Sequence, residues 1–120
     1  MPDKLPKSMP FRICIYRTED LKNVYIAHCL DLDVKAHAET IEGAMDELLK
    51  VIETQIEMSE QFDADLLHPA PENIWDMYMS AKKAHRKLPA ELINRIIRNA
   101  NRRLGHEVEI APGNKDCALA

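Results

Sequence analysis

The 120-residue chain predicts an α+β domain: a three- to four-stranded antiparallel sheet covered by one helix, followed by a helical C-terminal extension. Three observations predict it. Residues 11–38 hold three short segments that alternate or are rich in β-branched residues. Residues 41–60 carry an apolar stripe at helical spacing behind a capping Thr, and residues 89–104 repeat that pattern beyond a pair of prolines. A period of two marks a strand with one buried face, and a period near 3.6 marks a helix with one buried stripe. The division expected is a core over residues 1–62 and an extension over residues 63–120.

The elements follow in chain order. In "PFRICIYR", Phe11, Ile13 and Ile15 alternate with Arg12, Cys14 and Tyr16, which predicts a strand with one buried face. "TEDLKN" is a polar connection, and "VYIAHCL" reads as the second strand. Asp31 to Asp33 make a turn. "DVKAHA" then sets Val34, Ala36 and Ala38 against Lys35 and His37, which completes an antiparallel meander.

Thr40 is placed to cap a helix through its hydroxyl, and Glu42 suits the positive end of the helix dipole. Gly43 stands where a capping box has Glu or Gln, so the box is incomplete. Ile41, Ala44, Met45, Leu48, Ile52 and Ile56 form the stripe that would cover the sheet. Asp46, Glu53, Glu57 and Glu60 leave the opposite face acidic, a candidate surface for a basic partner.

"LLHPAPE" stops the helix, because proline removes a donor and clashes with the preceding turn. Residues 72–83 predict a short helix with Ile74, Trp75, Tyr78 and Met79 on one side. Residues 89–104 predict a clearer one, with Pro89 in its first turn and Gly105 as its stop. Ile93, Ile96, Ile97, Ala100 and Leu104 make its apolar face, and Arg95, Arg98 and Arg102 line the other. "HEVEI" reads as a final short strand and "APGNKDCALA" as a loose tail.

Charge is unevenly distributed. Residues 1–80 carry 7 Lys and Arg against 16 Asp and Glu, whereas residues 81–106 carry 8 against Glu91 alone. The two stretches therefore face different partners or face each other. Arg95, Arg98 and Arg102 are the candidates for phosphate contact with nucleic acid. The alternatives are a solvated face, or docking on the acidic helix of the same or another chain. A helix-turn-helix would need a tight turn at "AHRKL"; a ribbon-helix-helix would use "HRKL" as its ribbon and lacks a second helix.

Three cysteines without a CxxC argue against a disulfide framework or a Cys-based zinc site. The opening residues lack the apolar region of a signal peptide, and no apolar run is long enough to span a membrane, so a reduced cytoplasmic protein is expected. His28, Cys29, Asp31, Asp33 and His37 match no common metal spacing, and strand neighbours such as His28 and Cys29 point to opposite faces. No GxSxG or glycine-rich phosphate loop occurs. No catalytic residue, cofactor or metal is expected, and a metal-dependent nuclease using Asp31 or Asp33 is the lesser alternative. Trp75, Met77, Tyr78 and Met79 lie beyond the expected core and need cover, which predicts an oligomer, most simply a dimer.

"YIAHCLDLDVKAHAETIEGAMDELLKVIE" resembles the HicB-like antitoxin family. Tyr25, Ala27, Cys29, Leu32, Thr40 and Ala44 carry the resemblance, which covers about residues 10–60. Ala38, Glu39 and Gly43 depart from the Gly, Asp and Glu that the family favours at those places, and residues 61–120 do not match its DNA-binding tail. The resemblance implies a partial RNase H-like fold without the catalytic acids. It also implies a bacterial type II toxin–antitoxin role: neutralising a small basic ribonuclease of HicA type and repressing transcription of the operon. An orphan oligomer of this fold with another ligand is the alternative.

Overall fold

A computed structural model describes residues 10–18, 20 and 23–113. The element order is β1 (Phe11–Tyr16), β2 (Tyr25–Cys29), β3 (Val34–Ala38), α1 (Ile41–Phe62), α2 (Glu72–Lys83), α3 (Ala90–Leu104) and β4 (Val108–Pro112). The first three strands form the expected meander, with Ile13 opposite Cys29 and Tyr25 opposite Ala38. The sheet order is β3-β2-β1-β4. The expectation of an antiparallel sheet fails at β4, which runs parallel to β1 with Phe11 beside Val108 and Ile15 beside Pro112. The chain path permits the parallel direction, since 91 residues separate Tyr16 from Val108 and leave room for the crossover that a parallel pair requires. "APGN" is not a loose tail at its start: Ala111 and Pro112 end the strand. Pro112 is tolerated because β4 lies at the sheet edge.

β1 is buried on both faces, not one. Phe11, Ile13 and Ile15 join Ala27, Cys29 and Val108 in one cluster, roofed by Ala44, Leu48 and Ile52 of α1 and by Ile96 and Ala100 of α3. Cys14 and Tyr16 join Ile26, Leu30 and Ala111 in a second cluster, closed by Ile74, Tyr78 and Ala81 of α2. The sheet is therefore covered by two helices on one face and one on the other. Residues 63–112 contribute to both clusters. No helix among the described residues is long and apolar enough to cross a membrane.

The helix ends obey local chemistry. Thr40 is extended and its hydroxyl accepts the Gly43 N–H at 2.9 Å. A Cβ on Gly43 would lie 2.8 Å from that hydroxyl oxygen and 3.1 Å from the Ala38 methyl, which accounts for glycine where a capping box has Glu. Gly43→Ala is therefore expected to forfeit the ~1 kcal/mol that Ala normally gains over Gly in a helix and to lower stability through the damaged cap, as a thermal melt will show. Asp63 closes α1 in the left-handed region (φ 50°), and Gly105 closes α3 likewise (φ 61°). Between α1 and α2 the chain turns along the sheet end, where the His68 and Ala70 N–H groups bond to the carbonyls of Asp31 and Leu30.

Candidate partner-binding surfaces

α3 lies beside α1 and runs in the same direction. Arg95 bonds to Glu42 at 3.2 Å, Asn99 to Asp46 at 3.1 Å, and Arg103 to Glu53 at 2.5 Å. Positions 95, 99 and 103 are spaced one turn apart, so they form a single flank facing α1. Hydrogen bonding to Glu42 raises the Arg95 pKa. The three arginines singled out in the sequence therefore separate. Arg95 docks within the chain. Arg102 is exposed and donates to Asn99 Oδ1 at 2.7 Å, and Arg98 is exposed with no ion pair among the described residues. The acidic stripe divides in the same way. Asp46 and Glu53 are taken up by α3, whereas Glu57 and Glu60 are exposed and make no ion pair among the described residues. Arg103, which closes the third contact, is one of the eight basic residues of 81–106, and its place two turns after Arg95 is the signal in the sequence.

Two readings of the basic helix lose their ground. α2 and α3 sit on opposite faces of the sheet, so they do not form a helix-turn-helix unit. The "HRKL" segment is not a ribbon: His85 adopts a left-handed conformation (φ 55°) and residues 85–88 lie outside any strand.

The polar residues of the meander also fall into pairs. Asp31, 5% exposed, accepts the Arg12 backbone N–H at 2.7 Å and its guanidinium at 2.5 Å. The guanidinium also lies 4.7 Å from the centre of the Trp75 ring. Burial pushes the Tyr16 hydroxyl up to about 12, so it keeps its proton. The consistent assignment has Tyr16 donating to His28 Nδ1 at 3.0 Å and His28 Nε2–H donating to Asp33 at 2.8 Å. This hydroxyl–imidazole–carboxylate series runs from a Tyr that is 4% exposed to an Asp33 side chain that is 42% exposed, and every member has a hydrogen-bond partner. Burial likewise pushes the Cys29 thiol up to about 12, away from a reactive thiolate. Cys29 belongs to the first cluster, and His28 bonds to Tyr16 of the second, which places the two on opposite faces of β2. Among the described residues no three His, Cys, Asp or Glu side chains are grouped to hold a metal ion. Cys117 lies outside the described residues.

Under α2, Glu109 of β4 accepts from the Tyr78 hydroxyl and the Lys82 ammonium. These bonds, Lys82 first, hold its carboxyl below the ordinary 4.5. A carboxylate with a depressed folded-state pKa contributes stability above its unfolded pKa and loses it as pH falls through the folded value. The melting temperature is therefore expected to fall on acidification below about pH 4.5, and less steeply in Glu109→Gln than in the wild type. Parallel melts across that range check the difference.

The apolar surface differs from the expectation. Tyr78 is buried against the sheet, Trp75 and Met77 pack on the same cluster, and of the four residues expected to need an outside partner Met79 alone is exposed, at 57%. Among the described residues the other large exposed apolar side chains are Met58, at 48%, and Phe62, at 65%, both near the end of α1. Compared with known proteins, the chain matches no family model, no curated protein and no solved structure.

Proposed function

We propose that this protein works by binding rather than catalysis, as an antitoxin similar to the HicB-like family, with a small basic ribonuclease as partner. The observation that carries the reading is the acidic stripe of α1, whose second half, Glu57 and Glu60, is exposed and unpaired among the described residues. A basic partner finds there negative charge that α3 has not neutralised, and such charge raises encounter rates and fixes orientation. The resemblance over residues 10–60 and the meander followed by a Thr-capped helix support the same role. Asp31 and Asp33, the residues a nuclease would use, are each held by a side chain of their own, Arg12 and His28 respectively. Arg98 and Arg102 are the α3 arginines left to meet phosphates in an operator, a secondary contact that would weaken steeply with salt.

The test is direct. A HicA-type ribonuclease encoded beside this gene, purified and mixed with the protein, is expected to co-elute with it and to lose RNA cleavage at equimolar ratio. Undiminished cleavage with no complex on gel filtration would refute the role.

A further inference from the structure

α1 is longer than the strands it covers. A helix of 22 residues is about 33 Å long. β2 and β3 have five residues each and span about 17 Å. From Ile41 to Ile56 the helix packs a regular stripe on the first cluster, whereas beyond Ile56 its one buried residue is Ser59. On this outer length Met58 and Phe62 are one turn apart and therefore share a face. They are among the largest exposed apolar side chains, at 48% and 65%. Glu57 and Glu60 lie on the same turns, and Asp63 and Asp65 follow directly, all four exposed. The Ser59 hydroxyl donates to the Ala64 carbonyl at 2.6 Å and so fixes the turn that ends the helix beside this patch.

We infer that this acidic, aromatic-tipped arm is the docking surface for a cationic protein partner, with Phe62 and Met58 entering an apolar depression and Glu57 and Glu60 pairing with Lys or Arg at its rim. Apolar anchors inside a polar rim are the usual plan of a protein interface. Charge chooses among the occupants. Two arms packed together would set Glu57 and Glu60 against their own copies. An anionic membrane surface repels the same four carboxylates. A second copy offering its exposed Arg98 and Arg102 would make a head-to-tail contact, which closes into a ring only at special angles and otherwise runs on into filaments. A separate basic protein satisfies both the apolar and the acidic parts. This placement rests on the binding role above for its natural partner, and it moves the contact away from Asp46 and Glu53, which α3 occupies.

The test uses the full chain and two probes, the small basic ribonuclease and a synthetic amphipathic Lys/Leu peptide, with affinities measured by calorimetry. The variants are Met58→Ser with Phe62→Ser, Glu57→Lys with Glu60→Lys, and Lys83→Ala with Lys87→Ala as control. All six positions are exposed, and thermal melts verify folding. Each pair of arm changes is expected to weaken ribonuclease binding at least tenfold, while the control stays within threefold. Ribonuclease binding unchanged by both arm pairs overturns the docking surface and leaves the antitoxin role standing. Binding of the peptide alone, lost in the arm variants, supports the surface and overturns the ribonuclease as partner. Failure of the wild type to bind either probe overturns the surface itself.

Discussion

Cut after Phe62, the chain is expected not to fold. The fragment keeps the meander and α1, the part that resembles a known family, and would be self-sufficient if residues 63–120 were a mere extension. Its loss of cover argues otherwise. Cys14, Tyr16, Ile26 and Leu30 lose Ile74, Tyr78 and Ala81 on one face, while Ile13 and Ile15 lose contributions from Ile96, Ala100 and Val108 to the cluster on the other. β1, flanked by β2 and β4, becomes an edge. At this size a chain buries too small a fraction of its surface to spare one whole face. Thermal melts followed by circular dichroism are expected to show no cooperative transition, and solution spectra poor amide dispersion. A sharp melt from the fragment would show that the second cluster is dispensable.

The second large effect belongs to Asp31. Its carboxylate is almost buried and holds both the backbone and the side chain of Arg12, which in turn lies over Trp75. Asp31→Ala removes the acceptor and leaves the guanidinium, about one-third exposed, without its partner. Breaking a buried pair costs about 3–5 kcal/mol, and the partial exposure of Arg12 places the expected loss near the lower end, roughly 3 kcal/mol. Asp31→Asn keeps an acceptor for the backbone N–H and is expected to lose less. Denaturant titrations measure both. The chain has a single Trp, Trp75, so a shift in its emission reports whether α2 stays seated when Arg12 loses its anchor. A loss below roughly 1 kcal/mol for Asp31→Ala would mean that the pair behaves as an ordinary surface bridge.

Much of the architecture was legible in the residues. Alternation marked β1 and β3, β-branched and aromatic content marked β2, and the stripe from Ile41 to Ile56 together with the Thr40 cap marked α1, since these signals arise from local spacing and one local hydrogen bond. The second face of β1 was not legible. Arg12, Cys14 and Tyr16 read as outward-facing because their polar atoms look solvated in a sequence; Arg12 and Tyr16 are half-buried and buried because Asp31 and His28 supply partners from other strands and turns, and Cys14 is covered by the apolar cluster that α2 closes. "HEVEI" has the composition of a short strand, but composition says nothing about which neighbour it pairs with, in which direction, or that the strand runs on through Pro112. Opposite charge on α1 and α3 suggested docking, and the selection of Arg95 and Arg103 over Arg98 and Arg102 depended on the rotation of α3 about its axis, which its sequence left open between adjacent flanks.

The β1–β4 ladder joins residues 97 positions apart in sequence, Phe11 and Val108. During synthesis β1 is among the first strands to leave the ribosome and the last to be completed. At about 5–20 residues per second, it waits roughly 5–20 s for the strand that seals it. Contacts this distant raise contact order and slow folding after release as well. In that interval the meander has an open edge and an uncovered face, so nascent chains are most prone to pairing with one another before Pro112 has been made.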